Sequence, residues 1–313
     1  MKRSIKHLPK RTQEELNTLL ELIKHDFPWC CMVVLYGSYA RGGYVLWDQK
    51  VEFGVNTSYQ SDYDIMVVIP KPRMKHVEDR LRNQITPKYH KAFAHRRHAS
   101  PQFIVEYVNT LNKELERSQY FFTDIVKEGI KMYDSKEFKL AKPRELSFKE
   151  IKEFAIKEFD IHYPLGVNYL EHGYTDYNKE RYRGGSFLLH QTCERFYNSI
   201  SLVYTNYRLK SHKLDELAGH AKEFSRELAV IFPSSTDFEK RCFDLLCRAY
   251  IEARYNKDFI VTKEEYAYML ERIEILKEIT FRICTEKIAS YDALIANEKT
   301  QSQQNQLNNP TSK

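Results

Sequence analysis

Tyr36-Gly37-Ser38-Tyr39-Ala40-Arg41-Gly42 and, further on, Ser61-Asp62-Tyr63-Asp64 decide how the N-terminal half is read. Val33, Val34 and Leu35 lead into the first piece, and Ile65-Met66-Val67-Val68-Ile69 leaves the second. Each piece sits at one end of a short β-branched run that predicts a buried strand. A Gly-Ser turn leaving a strand offers backbone N–H groups and a hydroxyl to phosphate oxygens. Two aspartates separated by one residue on a strand point to the same face. Such a pair is costly unless cations sit with it. Phosphate donors beside a divalent-cation site are the parts needed to move a nucleotide.

Working outward, 313 residues make two domains the prior, each long enough to bury a core. The net charge of +6 favours anionic ligands without establishing nucleic-acid binding. Cys30, Cys31, Cys193, Cys242, Cys247 and Cys284 form no CxxC pair, so buried free thiols are expected rather than disulfides or zinc. The basic N-terminus lacks the apolar core of a signal peptide, and no apolar run approaches the ~20 residues of a membrane span. A soluble, cytoplasmic protein is expected.

The two halves are written differently. In the first, helical and strand-like segments alternate: a helix opened by a Thr12–Glu15 capping box with the stripe Leu16, Leu19, Leu20 and Ile23, strands near 31–36 and 63–69, a third over 103–108, a helix from Phe121 to Lys127 ended by Gly129, and a closing strand over 130–133. From Ser147 the strand pattern gives way to helical stripes. Ser147–Glu150, Thr236–Glu239 and Thr262–Glu265 are capping boxes. Behind them run Leu214 to Leu228, Phe238 to Ala249 and Tyr266 to Leu276, with a further helix over 179–204. The expected class is α+β: a small mixed sheet with helices over 1–143, then an all-α up-and-down bundle over 144–296. The Gln- and Asn-rich end, 297–313, is expected to be disordered.

The first half resembles the minimal nucleotidyltransferases of the DNA polymerase β superfamily. Gly37, Ser38, Ala40, Arg41 and Gly42 match that family's Gly-Ser element, Asp62 and Asp64 its Asp-x-Asp strand, and Glu106 is the candidate third carboxylate. The resemblance implies ATP or another nucleoside triphosphate with its phosphates on Gly37 and Ser38. Arg41 would neutralise charge or be structural. Asp62, Asp64 and Glu106 would hold Mg²⁺ and carry the transfer of a nucleoside monophosphate, AMP being expected, to a hydroxyl. The segment from Gly43 to Gln60, with Trp47, Phe53 and Tyr59, departs from the family pattern and reads either as a lid or as a surface hairpin. The basic stretch Lys71–His98 reads as a solvated face before an RNA surface, and its histidines lack zinc-site spacing.

The second half resembles the HEPN family of nucleotide-binding helical bundles. Phe187 to Arg195, His212 to Leu217 and Arg248 to Tyr255 carry the likeness. Ribonuclease members hold an Arg followed after four to six residues by a His late in the bundle. No His follows Arg248 or Arg254, and Arg183 with His190 meets the spacing only on an earlier helix. A non-nucleolytic bundle is therefore implied, with His190, Arg195, Arg248, Arg254 and Tyr255 as pocket or acceptor residues. Its acceptor would be a small hydroxylated molecule or a protein tyrosine, Tyr250 and Tyr255 standing near the place of the missing motif. The competing expectation is a nucleotide- or RNA-binding regulatory module of toxin–antitoxin type without turnover. A homodimer through the bundle is plausible by the same resemblance.

Overall fold

The computed structural model describes residues 1, 4–52, 55–70 and 76–308. It divides into two compact units, one built from Met1–Lys50 and Ser58–Glu145, the other chiefly from Leu146 onward.

In the first unit α1 (Lys10–Asp26) leads to β1 (Met32–Tyr36), which passes directly into a one-turn helix, α2 (Gly37–Arg41). In chain order a two-stranded hairpin follows, β2 (Asp48–Glu52) and β3 (Val55–Tyr59), with the described residues 51, 52 and 55–57 grouped with the second unit, then β4 (Tyr63–Ile69) in the first. The helical stretch after β4 comprises α3 (Val77–Arg80), a π turn over Leu81–Ile85 and α4 (Thr86–Ala92). Lys71, Arg73 and Lys75 of the basic stretch, like Phe53 of the hairpin, lie outside the described residues. β5 (Pro101–Tyr107), α5 (Val108–Glu116), α6 (Tyr120–Glu128) and β6 (Ile130–Asp134) complete the unit. The sheet order is β5-β4-β1-β6, with β1 antiparallel to β4 and β6 and β4 parallel to β5.

Every residue of β1 and β4 is buried, which is why their sequences are unbroken apolar runs rather than alternating ones. On one face Leu16, Leu19 and Ile23 of α1 join Val33, Leu35, Ile65, Val67 and Ile69 in one core. Thr12 and Glu15 do not form the expected capping box. The helix starts three residues earlier, after Pro9, and both side chains are buried within it. Glu15 instead accepts from the Tyr63 hydroxyl at 2.6 Å and from Arg11 Nε at 3.1 Å, tying α1 to the start of β4.

The second unit is helical: α7 (Phe148–Asn178), α8 (Tyr182–Thr205), α9 (Leu214–Ala221), α10 (Asp237–Tyr255) and α11 (Lys263–Asn308). Capping boxes open α7 at Ser147 and α10 at Thr236, and Thr262 with Glu265 makes the same reciprocal bonds ahead of α11. The stripe from Leu214 to Leu228 is not one helix. α9 ends at Ala221, Ser225 is extended, and Arg226–Val230 form a 3₁₀ turn. α8 is the central helix, packed on α7, α9, α10 and α11. Close approach to α7 depends on missing side chains: a Cβ on Gly166 would lie 2.7 Å from the Phe196 ring, and one on Gly173 would lie 2.6 Å from Leu189. α11 runs to Asn308, where a tail without structure is expected from 297. Gln, Glu, Lys and Leu are good helix formers, and a helix already started by a packed stripe extends through them at little cost. Among the described residues no helix is long and apolar enough to cross a membrane, and all six cysteines are free.

Candidate functional site

The first constellation is made by the antiparallel register of β1 and β4, which sets Tyr36 opposite Asp64. Gly37, the next residue, takes φ +70°, and a Cβ there would lie 1.9 Å from Asp64 Oδ2. The Asp64 carboxylate thus occupies the space that the glycine leaves. Gly42, at φ +89°, closes α2 in the left-handed region, and the N–H groups of Gly42 and Gly43 both donate to the Ser38 carbonyl. Asp62 is 6% exposed and Asp64 1%. Gln102, the parallel register partner of Asp64, donates from Nε2 to Asp62 Oδ2 at 3.3 Å, which places both carboxylates on one side of the sheet. Arg41 is half exposed and lies 3.6 Å from Asp124 on α6, so its charge is partly engaged inside the unit.

Glu106 does not join them. It pairs with Val68, four residues along β5 from Gln102, a rise of about 13 Å, and it is buried at the other end of the sheet. The residue standing beside Asp64 is a glutamine. Among the described residues no group of three or more His, Cys, Asp or Glu is arranged to hold a metal ion. The two aspartates alone are an oxygen donor set for a hard cation such as Mg²⁺, and the glycine cradle fits that use.

The inserted segment is a hairpin at its base. The Val45 N–H donates to Ser61 Oγ and the Ser61 N–H returns to the Val45 carbonyl, both at 2.9 Å, one residue from Asp62. Trp47 stacks under the Arg97 guanidinium, 3.2 Å from the ring centre. Two residues that sequence reasoning gave no role lie close by: His90 Nδ1 and His98 Nε2 are 2.6 Å apart. Their contact joins α4 to the approach to β5, and no spacing rule signals it.

The second constellation lies within the helical unit. A cavity of about 790 Å³ is walled by Phe232, Phe243, Cys247, Arg248, Tyr250 and Ile251 among others. Phe232 stacks on Phe243 at 4.8 Å, and Tyr250 lies parallel to the His212 ring at 5.0 Å. Arg248 is bound by Asp244 at 2.8 Å and Glu252 at 3.3 Å, so the walls suit a planar apolar group better than a polyphosphate. Burial pushes the Cys247 thiol up to about 12, which keeps it protonated. Residues 166–284 match the HEPN domain family. The chain matches no curated protein.

Within this HEPN region the expected pocket residues separate. Arg248 lines the cavity. His190 is wholly buried behind Tyr250, with Nδ1 3.0 Å from the Leu246 carbonyl and Nε2 3.0 Å from the His212 carbonyl. Burial lowers its pKa, and a backbone carbonyl oxygen faces each ring nitrogen. Arg195 points elsewhere, its Nη1 3.4 Å from His162 Nδ1. Arg254 caps the Tyr250 carbonyl and lies over the Phe187, Tyr250 and Tyr255 rings. Tyr255 is 74% exposed and outside the cavity wall. Glu194, buried at 1% exposure, is the residue the HEPN motif runs contain without a reason visible in sequence. It accepts from Gln191 and faces His212 Nδ1 at 3.0 Å, fixing the loop that carries the ring under Tyr250.

Proposed function

We propose that the protein is a nucleotidyltransferase that moves a nucleoside monophosphate, AMP in the first instance, from a nucleoside triphosphate to a hydroxyl. The observation that carries this reading is the seat of Asp64 against the side-chain-free Gly37, which brings a phosphate-type turn and a carboxylate pair to one point. Asp62 and Asp64 would hold Mg²⁺, and the chemistry it supplies when bound is neutralisation of the charge that gathers on the phosphates. Gly37, having no side chain, lets the Asp64 carboxylate close on the turn, Ser38 offers a hydroxyl, and Arg41 adds a cation at the end of α2. Catalysis on this scheme is positioning and electrostatics rather than covalent chemistry.

The HEPN region would supply the acceptor or its pocket. The apolar cavity supports a small hydroxylated molecule; the exposure of Tyr255 supports a tyrosine acceptor instead. The test is incubation of the full chain with Mg²⁺ and α-³²P-labelled ATP beside an Asp62→Asn/Asp64→Asn variant. Label on the wild-type chain that Tyr255→Phe removes identifies the tyrosine acceptor. Label on an added metabolite fraction identifies the small acceptor. Mg²⁺-dependent nucleotide binding without any transfer would instead mark a regulatory module.

A further inference from the structure

We infer that His90 is the proton acceptor for the attacking hydroxyl, held in one tautomer by a relay through His98. The inference rests on the nucleotidyltransferase reading and adds to it the base that the carboxylates do not provide. β5 begins beside Asp62 and Asp64, yet brings Gln102 to them rather than an acid, and Glu106 lies four residues away along the strand. An amide cannot take a proton from a hydroxyl at neutral pH.

The relay is fixed by elementary hydrogen-bond chemistry. His98 Nδ1 is 2.9 Å from the Arg96 carbonyl oxygen, which only accepts, so Nδ1 carries the hydrogen. Neutral His98 then presents a lone pair at Nε2, 2.6 Å from His90 Nδ1, and His90 must donate there. That leaves the lone pair of His90 on Nε2. A shared metal ion does not explain the contact. Two imidazole nitrogens on one tetrahedral ion stand about 3.3 Å apart, clearly more than the observed separation.

The relay is also anchored at the right place. Tyr89, next to His90, donates its hydroxyl to the Ala99 carbonyl at 3.0 Å, and the Ser100 carbonyl accepts from the Tyr63 N–H at 2.8 Å. His98 is thereby tied, through two residues of chain, to the peptide between Asp62 and Asp64. The Tyr89 and Phe93 rings pack on the pair. Burial lowers the pKa of His90, while the Asp62 charge opposes that shift and favours the cation formed in the step. The arrangement is that of a base oriented by a second group.

In the step itself, the acceptor's O–H proton passes to His90 Nε2. The freed oxygen pair forms the bond to the α-phosphorus. The bond from that phosphorus to the bridging oxygen breaks, and its electron pair leaves on pyrophosphate. His90 is left as an imidazolium whose Nδ1–H still rests on His98, and it returns the added proton to water.

Two measurements on the full chain test this. Long-range ¹H–¹⁵N correlation of ¹⁵N-histidine-labelled protein reads the tautomers without substrate: His90 and His98 should both be Nδ1–H with bare Nε2. In the Mg²⁺-dependent transfer assay, His90→Gln should lower kcat about a hundredfold or more with the nucleotide KM unchanged, and should remove the acid limb of the pH profile. His98→Ala should keep KM, lower kcat by less, and move that acid limb. A His90 ring with hydrogen on Nε2, or a His90→Gln enzyme with wild-type kcat beside an inactive Asp62→Asn/Asp64→Asn variant, overturns the relay while leaving the transferase reading intact. A wild-type enzyme no more active than the aspartate variant overturns both.

Discussion

Gly37 is the residue on which most depends. Its φ of +70° already disfavours any side chain, and the space a Cβ needs is filled by Asp64 Oδ2. Gly37→Ala should therefore displace Asp64, abolish transfer, and lower stability by about 1–3 kcal/mol in urea unfolding with the secondary structure retained. The glycine and both aspartates are legible in the sequence, because a Gly-Ser turn and an Asp-x-Asp strand are local patterns. Gln102 and the His90–His98 contact are not, because strand register and helix-to-loop contacts are decided by the whole core. A second residue-scale outcome concerns His162. Burial, with the Arg195 and Arg208 charges adding to it, pushes its pKa from 6.5 down to about 4. Between those values the unfolded chain binds a proton that the folded one refuses. The contribution is thus complete above pH 6.5 and is lost as pH falls through 4, up to about 3 kcal/mol. Unfolding free energies measured from pH 7 to 4 should fall more steeply for the wild type than for His162→Gln.

At the scale of elements, the helix starts show what local chemistry decides. Ser147, Thr236 and Thr262 cap as their sequences indicate, each side chain accepting from the backbone N–H three residues on. Thr12 and Glu15 carry the same spacing but are drawn into the core, where Glu15 serves Tyr63 and Arg11. Tertiary demand overrides the local pattern there. Thr236→Ala should cost about 1 kcal/mol, read as a lowered midpoint in thermal unfolding, because it removes both the acceptor for the Glu239 N–H and the anchor of the box. β5 teaches the complementary lesson. Its apolar run made the strand visible, but only the parallel register with β4 shows that Glu106 sits opposite Val68 and not beside the aspartates.

At the scale of the molecule, the chain divides into two compact units, and the second contains the residues that match the HEPN domain family. What joins the proposed activity to this architecture is the aspartate pair on the small sheet. On the proposed reading, nucleotide chemistry depends on Asp62 and Asp64. The most direct measurement is pyrophosphate release from each of the four nucleoside triphosphates, with Mg²⁺ and a cell-metabolite fraction, for the wild type and for Asp62→Asn/Asp64→Asn. Release by the wild type that the double substitution abolishes is the predicted result. Release at the level of the double variant with all four nucleotides would contradict the account.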